Sequence, residues 1–171
     1  PDTNDFKKKT LVKNEIPQFL FLSNLIESKG VYILLEALNL LKNQGLKFHC
    51  SLVGREGDIT LQELNYKITV LNLSDSVTYL GKKYGNDKYE IFKSSNLFTF
   101  PTHYHNECFP LVLLEAMMFG LPVISTNEGG ILDIVKNGET GFIVDKQNPE
   151  KLAEKLKHLI DNPEKVSLMG K

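Results

Sequence analysis

The segment from Glu107 to Glu115 contains the residues of this chain best suited to chemistry: two carboxylates, with Pro110 between them at the start of an apolar helical stretch. A helix begins with backbone N–H groups that have no partner inside the helix, and such groups attract phosphate. Carboxylates accept hydrogen bonds from hydroxyl groups, including those of sugars. The segment therefore predicts a phosphate site between two hydroxyl-binding sites, which is the combination that a nucleotide-sugar requires.

Each carboxylate also has an ordinary structural interpretation. Glu115 either faces solvent, pairs with a lysine at the edge of the core, or accepts hydrogen bonds from two ribose hydroxyls. Glu107 either stabilises the positive end of the helix, by about 0.3–1 kcal/mol, or binds a sugar. The rise from Pro110 to Glu115 is about 7.5 Å. The two carboxylates can therefore reach opposite ends of one elongated ligand, with phosphate between them.

Two cations are candidates for the phosphate. Lys29 precedes Gly30 at the start of the first long predicted helix, where it is either a solvated helix-end residue or a counter-charge to a diphosphate. Arg55 is the only arginine of the chain and lies in the loop from Gly54 to Gly57. It is either a surface residue or a fork-shaped cation at the edge of the ligand. The residues alone leave both alternatives open.

Other catalytic patterns are missing from the sequence. His103 and His105 precede Glu107, but no further ligand residue clusters with them, so the sequence predicts loop residues near the ligand and no metal site. The chain contains no Ser-His-Asp, Cys-His or P-loop pattern. Cys50 and Cys108 are far apart and form no metal or redox motif, which fits free thiols in a reducing cytoplasm.

The candidate residues need a scaffold, and apolar runs that alternate with helical patterns predict one. Several of these runs are uniformly apolar, which is typical of a parallel sheet covered on both faces. We therefore expect an α/β fold, a Rossmann-like, doubly wound parallel sheet. The predicted strands are 19–22, 48–53, 77–80, 97–100, 123–124 and 142–144. The predicted helices are 30–41, 59–71, 89–92, 110–119, 131–136 and 150–160.

In doubly wound sheets, ligands bind outside the carboxyl ends of the strands. Polar residues of this chain follow those ends, so the candidate groups should gather along one edge of the sheet. The segments concerned are 23–24, 54–57, 81–82, 102–107 and 126–130.

Composition sets the limits of this interpretation. The chain has 171 residues, of which 42% are hydrophobic, and a formal net charge of −1. These values fit one globular domain, and they give no basic field for nucleic acid. We expect residues 1–15, which include the run Lys7-Lys8-Lys9, to be a linker or N-terminal extension, and residues 16–171 to form the ligand-binding domain. No apolar run approaches the roughly 20 residues of a membrane-spanning helix.

Taken in order, the segments resemble a known family. They read SNLIESKG at 23–30, LVGREG at 52–57, VTYLG at 77–81, LFTFPT at 97–102, ECFPLVLLE at 107–115 and GLPVISTNEGGILD at 120–133. This series is similar to the C-terminal, donor-binding half of GT-B retaining glycosyltransferases of glycosyltransferase family 4, also called glycosyl transferases group 1. The similarity covers residues 16–170. The Glu-x7-Glu segment is specific, and the ordered series is more specific still.

The resemblance implies roles for individual residues. Glu107 and Lys29 would be catalytic, with Glu107 on the hydroxyls of the donor sugar and Lys29 on the diphosphate. Glu115 would hold the ribose hydroxyls, and the segments after Gly54 and Gly81 would line the base. The predicted donor-binding residues are Asn24, Gly54, Arg55, Gly81, Lys82, Phe109, Pro110, Leu111, Val112 and Glu115.

The chain departs from the family pattern at two places. Ser23-Asn24 stands where the family commonly has glycine followed by arginine, which removes one cation from the diphosphate site. Cys108 replaces the glycine of the usual Glu-Gly-Phe, so its side chain is expected to narrow the sugar pocket. We hypothesise that Arg55 partly replaces the missing cation, which requires that Arg55→Ala weaken nucleotide binding.

The resemblance implies a glycosyltransferase of the hexosyltransferase type that moves a sugar from a nucleoside-diphosphate sugar to an acceptor hydroxyl, in polysaccharide or glycoconjugate synthesis. It implies no cofactor and no metal. The acceptor, a sugar or a lipid-linked glycan, would bind an N-terminal domain absent from this chain, so the segment alone should bind nucleotide and transfer little sugar. We expect a cytoplasmic protein, with peripheral association at the inner membrane face left open.

Two other classes stay open from the sequence. A GT-B nucleotide-sugar epimerase would also bind a UDP-sugar, and it would form product from the donor without an acceptor. A non-catalytic binding or interaction module would carry a degenerate site, for which Asn24 in place of arginine is the argument.

Overall fold

In a computed structural model of the chain, residues 15–171 are described. Their strands form one six-stranded sheet in the order β3-β2-β1-β4-β5-β6, and every neighbouring pair is parallel. This is the doubly wound, Rossmann-like α/β fold that the sequence predicts. The predicted linker up to residue 14, with its lysine run, lies outside the described residues. The strands are β1 (Gln18–Leu22), β2 (His49–Val53), β3 (Val77–Tyr79), β4 (Leu97–Phe100), β5 (Val123–Thr126) and β6 (Gly141–Val144).

Helices connect the strands. A short 3₁₀ turn, Glu27–Lys29, leads into the first of them. Helix α1 packs against α6, and α6 also contacts the last two strands. The helices within residues 15–171 are α1 (Val31–Asn43), α2 (Leu61–Val70), α3 (Gly85–Ser94), α4 (Leu111–Met118), α5 (Ile131–Ile134), α6 (Pro149–Asp161) and α7 (Pro163–Met169).

The core lies on both faces of the sheet. All residues of β4 and β5 are buried, and the consecutive residues Phe19, Leu20 and Phe21 of β1 are buried as well. Since successive side chains of a strand point to opposite faces, burial of consecutive residues means that both faces are covered. This is why these strands show no alternation of apolar and polar residues, and why the few polar ones, Thr99, Ser125 and Thr126, are buried too.

The sheet has its topological switch point between β1 and β4. These strands are neighbours in the sheet, with Phe19 opposite Leu97, although β2 and β3 lie between them in the chain. The chain leaves β1 toward one side and β4 toward the other, which opens a crevice outside their carboxyl ends. The polar segments at 23–24 and 102–107 are placed at this crevice.

Element boundaries differ from the prediction mainly at two helices. Helix α3 begins at Gly85, four residues before the predicted start, and α7 was not predicted. Both have a weak apolar pattern, because Phe92 is the only buried residue of α3 and Val166 the only one of α7. Pro110, predicted in the first turn of its helix, is the residue that precedes α4.

Among the described residues, none of the helices combines the length and the apolar character that crossing a bilayer would take.

Candidate functional site

A pocket of about 380 Å³ lies at the switch point, and we call it the switch-point pocket. It is bordered by the ends of β1, β2 and β4, by the N-terminal ends of α3 and α4, and by the lysine that ends the 3₁₀ turn. The predicted site residues that line it are Asn24, Lys29, Gly54, Lys82, Glu107, Pro110, Leu111, Val112 and Glu115. Lining residues that were not predicted include Ser23, Lys83, Tyr84 and Lys88.

Lys29 and Glu107 form a largely buried ion pair in this pocket. The Lys29 Nζ to Glu107 Oε2 distance is 2.6 Å, and the two side chains are 15% and 9% exposed. The Lys29 ammonium also lies 4.2 Å from the centre of the Tyr104 ring. The Thr102 hydroxyl donates to the same Glu107 oxygen at 3.3 Å. The pair therefore holds an oriented ammonium and an oriented carboxylate side by side, ready for a ligand that carries both phosphate and hydroxyls.

Glu115 forms the second ion pair, and its partner is Lys88 of α3. The Lys88 Nζ lies 2.6 Å from Glu115 Oε1 and 2.7 Å from Oε2. Of the alternatives left open from the sequence, the ion pair with a lysine at the core edge is present in the structure. It does not exclude hydroxyl binding, because a carboxylate has about four acceptor sites. Sequence reasoning missed Lys88, since it lies 27 residues before Glu115 in a helix with little apolar pattern.

The N-terminus of α4 faces the same pocket. No side chain caps this helix in the described structure, and Pro110 has no N–H to contribute. The N–H groups of Leu111 and Val112, at the first turn, have no helix carbonyl to pair with. Both residues line the pocket. The uncapped end thus places free donors and a partial positive charge between Glu107 and Glu115.

Glycines fix the backbone that carries Glu107. Gly129 has a φ of +52°, and a Cβ there would lie 1.6 Å from the Glu107 carbonyl oxygen. A Cβ on Gly130 would lie 2.7 Å from the Cys108 carbonyl oxygen, and the Gly130 N–H donates to that oxygen at 2.7 Å. Only residues without a side chain let the loop after β5 approach this closely. The Gly129-Gly130 pair is therefore part of the site, although it contacts the carboxylate only through its backbone.

On the opposite wall, Gly54 approaches the end of β1. A Cβ on Gly54 would lie 1.8 Å from the Ser23 carbonyl oxygen. The Tyr79 hydroxyl donates to the Gly54 carbonyl at 2.7 Å. Burial, and secondarily the charge of Glu56, raises the pKa of Tyr79, so the phenol stays a protonated donor. This wall is held in place by backbone contacts and one partly buried hydrogen bond.

Three predicted donor-binding residues do not line the pocket. Arg55 is exposed, and its carbonyl accepts from the Leu25 N–H. Gly81 accepts from the Gly54 N–H at 3.0 Å. Phe109 is 47% exposed, with its ring against Gly130. The cations that line the pocket are lysines: Lys29, Lys82, Lys83 and Lys88. That Arg55 partly replaces a missing cation stays a prediction.

Cys108 and the two histidines lie around the Glu107 loop. Cys108 is exposed and does not belong to the pocket lining, so the expected narrowing of the pocket by its side chain is not seen. Cys50 is buried in the core, and burial raises the pKa of its thiol. Neither His103 nor His105 lines the pocket. Within residues 15–171 no cluster of three or more potential metal ligands occurs.

Comparison with known proteins places these features in a family. The sequence model described as "Glycosyl transferases group 1" matches residues 2–171. The capsular polysaccharide biosynthesis glycosyltransferase CapM of Staphylococcus aureus is 32% identical over 143 residues, which is 83% of this chain and 36% of CapM. The D-rhamnosyltransferase WbpZ of Pseudomonas aeruginosa is 33% identical over 154 residues, 90% of this chain and 38% of WbpZ.

Solved structures agree with the fold. Anabaena HepE, crystallised with UDP and glucose, superposes with a TM-score of 0.82 at 26% identity, covering 91% of this chain and 42% of HepE. The C-terminal domain of the group 1 family protein LpcC from Francisella tularensis has a TM-score of 0.80 at 22% identity, covering 100% of this chain and 93% of that domain. Both superpositions bear out the α/β fold of this chain.

The chain spans about two-fifths of the length of the curated relatives it matches. The family match nevertheless extends over nearly all of its residues. By sequence and by fold, the chain belongs to the glycosyl transferases group 1 family.

Proposed function

We propose that this chain is the donor-binding domain of a retaining glycosyltransferase, and that the switch-point pocket binds a nucleoside-diphosphate sugar. The observation that carries the proposal is the arrangement of two carboxylates and Lys29 around the uncapped N-terminus of α4. A nucleotide-sugar carries hydroxyls at both ends and two phosphates in the middle. The pocket offers acceptors at both ends and positive charge in the middle.

The assignment of roles follows from position. Glu115 accepts the ribose hydroxyls, and Glu107 accepts hydroxyls of the transferred sugar. Lys29 and the N–H groups of Leu111 and Val112 contact the diphosphate. Each charge-assisted hydrogen bond is worth about 1.5–3 kcal/mol, so a few of them suffice to hold the donor.

The same groups serve the reaction. As the bond between the sugar and the diphosphate breaks, negative charge grows on the departing phosphate while the sugar passes through an oxocarbenium-like state. Lys29 and the end of α4 stabilise the departing diphosphate, because they are oriented before the reaction begins. No cofactor and no metal takes part in this proposal.

The donor base in this proposal is uracil, since HepE, which resembles this chain at 26% identity, was crystallised with UDP and with UDP-glucose. CapM acts in capsular polysaccharide biosynthesis and WbpZ is named as a D-rhamnosyltransferase. Both names favour a polysaccharide or glycoconjugate acceptor for the whole protein. We place the acceptor site in a further N-terminal domain of the full protein, and the protein in the cytoplasm.

The proposal is tested by calorimetric titration of the chain with UDP, GDP and ADP. We expect one of them, UDP, to bind to the wild type. The Glu115→Ala and Glu115→Gln variants should lose about tenfold or more in affinity, because a charge-assisted hydrogen bond is removed. Glu90→Ala, a change in an exposed carboxylate of α3 that does not line the pocket, is the matched control and should bind as the wild type does.

Two results would contradict the proposal. If none of the three nucleotides binds to the folded chain, the pocket is not a donor site and the non-catalytic interaction module becomes the better interpretation. If the full protein converts a UDP-sugar to its epimer without any acceptor, the donor site stands but the transferase assignment fails.

A further inference from the structure

Lys88 lines the pocket from the first turn of α3, with its side chain packed over the core. Its side chain is only 19% exposed, and its ammonium lies 5.9 Å from the ring of the fully buried Phe92. A packed stem limits the positions that the ammonium can take. The ammonium is therefore held at the wall of the pocket and is not a freely moving surface charge.

The position of Lys88 is electrostatically unfavourable for α3. Lys88 is the fourth residue of the helix, and Lys82 and Lys83 come just before the helix begins. Cations near a helix N-terminus oppose the helix dipole and destabilise it. The acidic residue of this first turn is Asp87. A cation placed against the helix dipole in this way is expected mainly at functional or strained sites.

The contact with Glu115 compensates this placement. Within residues 15–171, Lys88 is the only hydrogen-bond partner of the Glu115 carboxylate, and it contacts both oxygens, at 2.6 and 2.7 Å. A carboxylate offers about four acceptor sites, two on each oxygen. The ammonium occupies one site on each oxygen. One site on each oxygen is left for other donors.

We propose that Lys88 is a positioning residue for the ribose of the nucleotide, and this inference rests on the proposed function. By holding Glu115 from one side, Lys88 turns the two remaining acceptor sites toward the pocket, where they match the two adjacent hydroxyls of a ribose. Lys88 itself does not contact the ligand. The preference of the site for ribose over deoxyribose therefore depends on a lysine in another helix.

The test compares two ligands that differ only in these hydroxyls, UDP and 2′,3′-dideoxy-UDP, or the matching GDP or ADP pair if calorimetry identifies that base. The dissociation constants are measured for the wild type, Lys88→Met and Lys88→Arg. Lys93→Met is the matched control, because Lys93 lies in the same helix and pairs with Glu90 away from the pocket. Thermal melts of each variant report whether it is folded.

We expect the wild type to prefer UDP over the dideoxy ligand by about tenfold or more. Lys88→Met should reduce that preference toward one while its affinity for the dideoxy ligand stays close to that of the wild type. Lys88→Arg, which keeps the charge, should restore part of the preference, and Lys93→Met should keep all of it. A merely structural role of Lys88 would not change a ratio between two such ligands.

Three results would overturn the inference. If Lys88→Met weakens both ligands equally, Lys88 acts on the phosphates or on the fold. If the preference persists in Lys88→Met, Glu115 is positioned without it. If the wild type binds both ligands equally, the ribose hydroxyls do not bind to the Glu115 carboxylate. In all three cases nucleotide still binds, so the pocket remains a donor site, although the third result would also remove the proposed role of Glu115. Absence of nucleotide binding in the wild type would overturn both.

Discussion

Individual residues of the site depend on how closely the backbone around them can pack. Glu107 takes its place because the loop after β5 approaches its carbonyl at Gly129. The conformation at Gly129 has a positive φ of +52°, which L-residues adopt at a cost. A side chain at this position would strain the local backbone and would also push the Glu107 loop away.

We therefore expect Gly129→Ala to lower both stability and the affinity for UDP-glucose. Strain of this kind costs about 1–3 kcal/mol. The loss of the oriented Glu107 carboxylate should weaken UDP-glucose by about tenfold or more, because this carboxylate is assigned to the hydroxyls of the transferred sugar. Chemical denaturation and calorimetry measure the two effects separately.

Gly138→Ala is the control for this prediction. Gly138 also has a positive φ, +84°, but nothing lies within 4 Å of the Cβ that it would carry. It should cost about 1–2 kcal/mol of stability and leave the affinity for UDP-glucose unchanged. Equal affinity for UDP-glucose in both variants would show that Gly129 does not position Glu107.

The sequence identified the carboxylates and Lys29 because they stand next to strong local signals, a helix start and a strand end. Lys88 carried no such signal. It becomes part of the site only because the folded chain brings the first turn of α3 within reach of Glu115 in α4. Arg55 was expected at the site because it follows Gly54, and it is exposed and outside the pocket lining.

At the scale of elements, the strands were predictable and some helices were not. The strands are mostly apolar and are followed by glycine, proline or polar residues, so their bounds could be inferred to within a few residues. Helices α3 and α7 each bury a single residue, so hydrophobic periodicity could not define their ends. The start of α3 matters most, since Lys88 lies within it.

The sheet edge contains a titratable contact between elements. His49 of β2 pairs through Nε2 with the Thr78 hydroxyl of β3 at 2.9 Å. Burial lowers the pKa of His49 from its ordinary value of 6.5. Just below pH 6.5, His49 is therefore protonated in the unfolded chain but still neutral in the folded chain. Protonation of His49 thus favours unfolding.

We expect the contribution of His49 to stability to be complete above pH 6.5 and to be lost as the pH falls from there through the lower pKa of the folded state. Urea midpoints at several pH values between 5 and 8 measure it. His49→Gln should flatten the profile in this range, and His105→Gln, a change in an exposed histidine, should leave it as in the wild type. A profile that His49→Gln does not alter would contradict the prediction.

At the scale of the whole molecule, the alternation of strands and helices was enough to predict a doubly wound sheet, but not its strand order. The order depends on which strands pair, and β1 pairs with β4 across 78 residues, as the contact between Phe19 and Leu97 shows. No local pattern encodes a contact over that separation. The position of the switch point, and with it the assembly of the pocket, therefore came from the structure.

The whole chain is nearly neutral, with a formal net charge of −1, but its charges are not evenly distributed. Among the residues that line the switch-point pocket, lysines outnumber carboxylates by four to two. Lys29 and Lys88 are each paired with a lining carboxylate. The excess positive charge of the lining is therefore that of Lys82 and Lys83. Because screening acts over about 10 Å at 0.1 M salt and about 3 Å at 1 M, the field at the pocket depends on these nearby groups more than on the net charge.

This distribution predicts that UDP affinity falls severalfold between about 0.1 M and about 1 M sodium chloride, whereas the binding of uridine, which has no phosphate, changes little. Calorimetry at several salt concentrations gives the slope. The Lys82→Ala, Lys83→Ala double variant should reduce the salt dependence of UDP affinity, since it removes two of the lining cations. Lys157→Ala, a change in an exposed lysine side chain of α6, is the control and should preserve that salt dependence. If UDP and uridine responded equally to salt, the affinity would come from the base and the ribose, and the lysines of the pocket would have no part in holding the diphosphate.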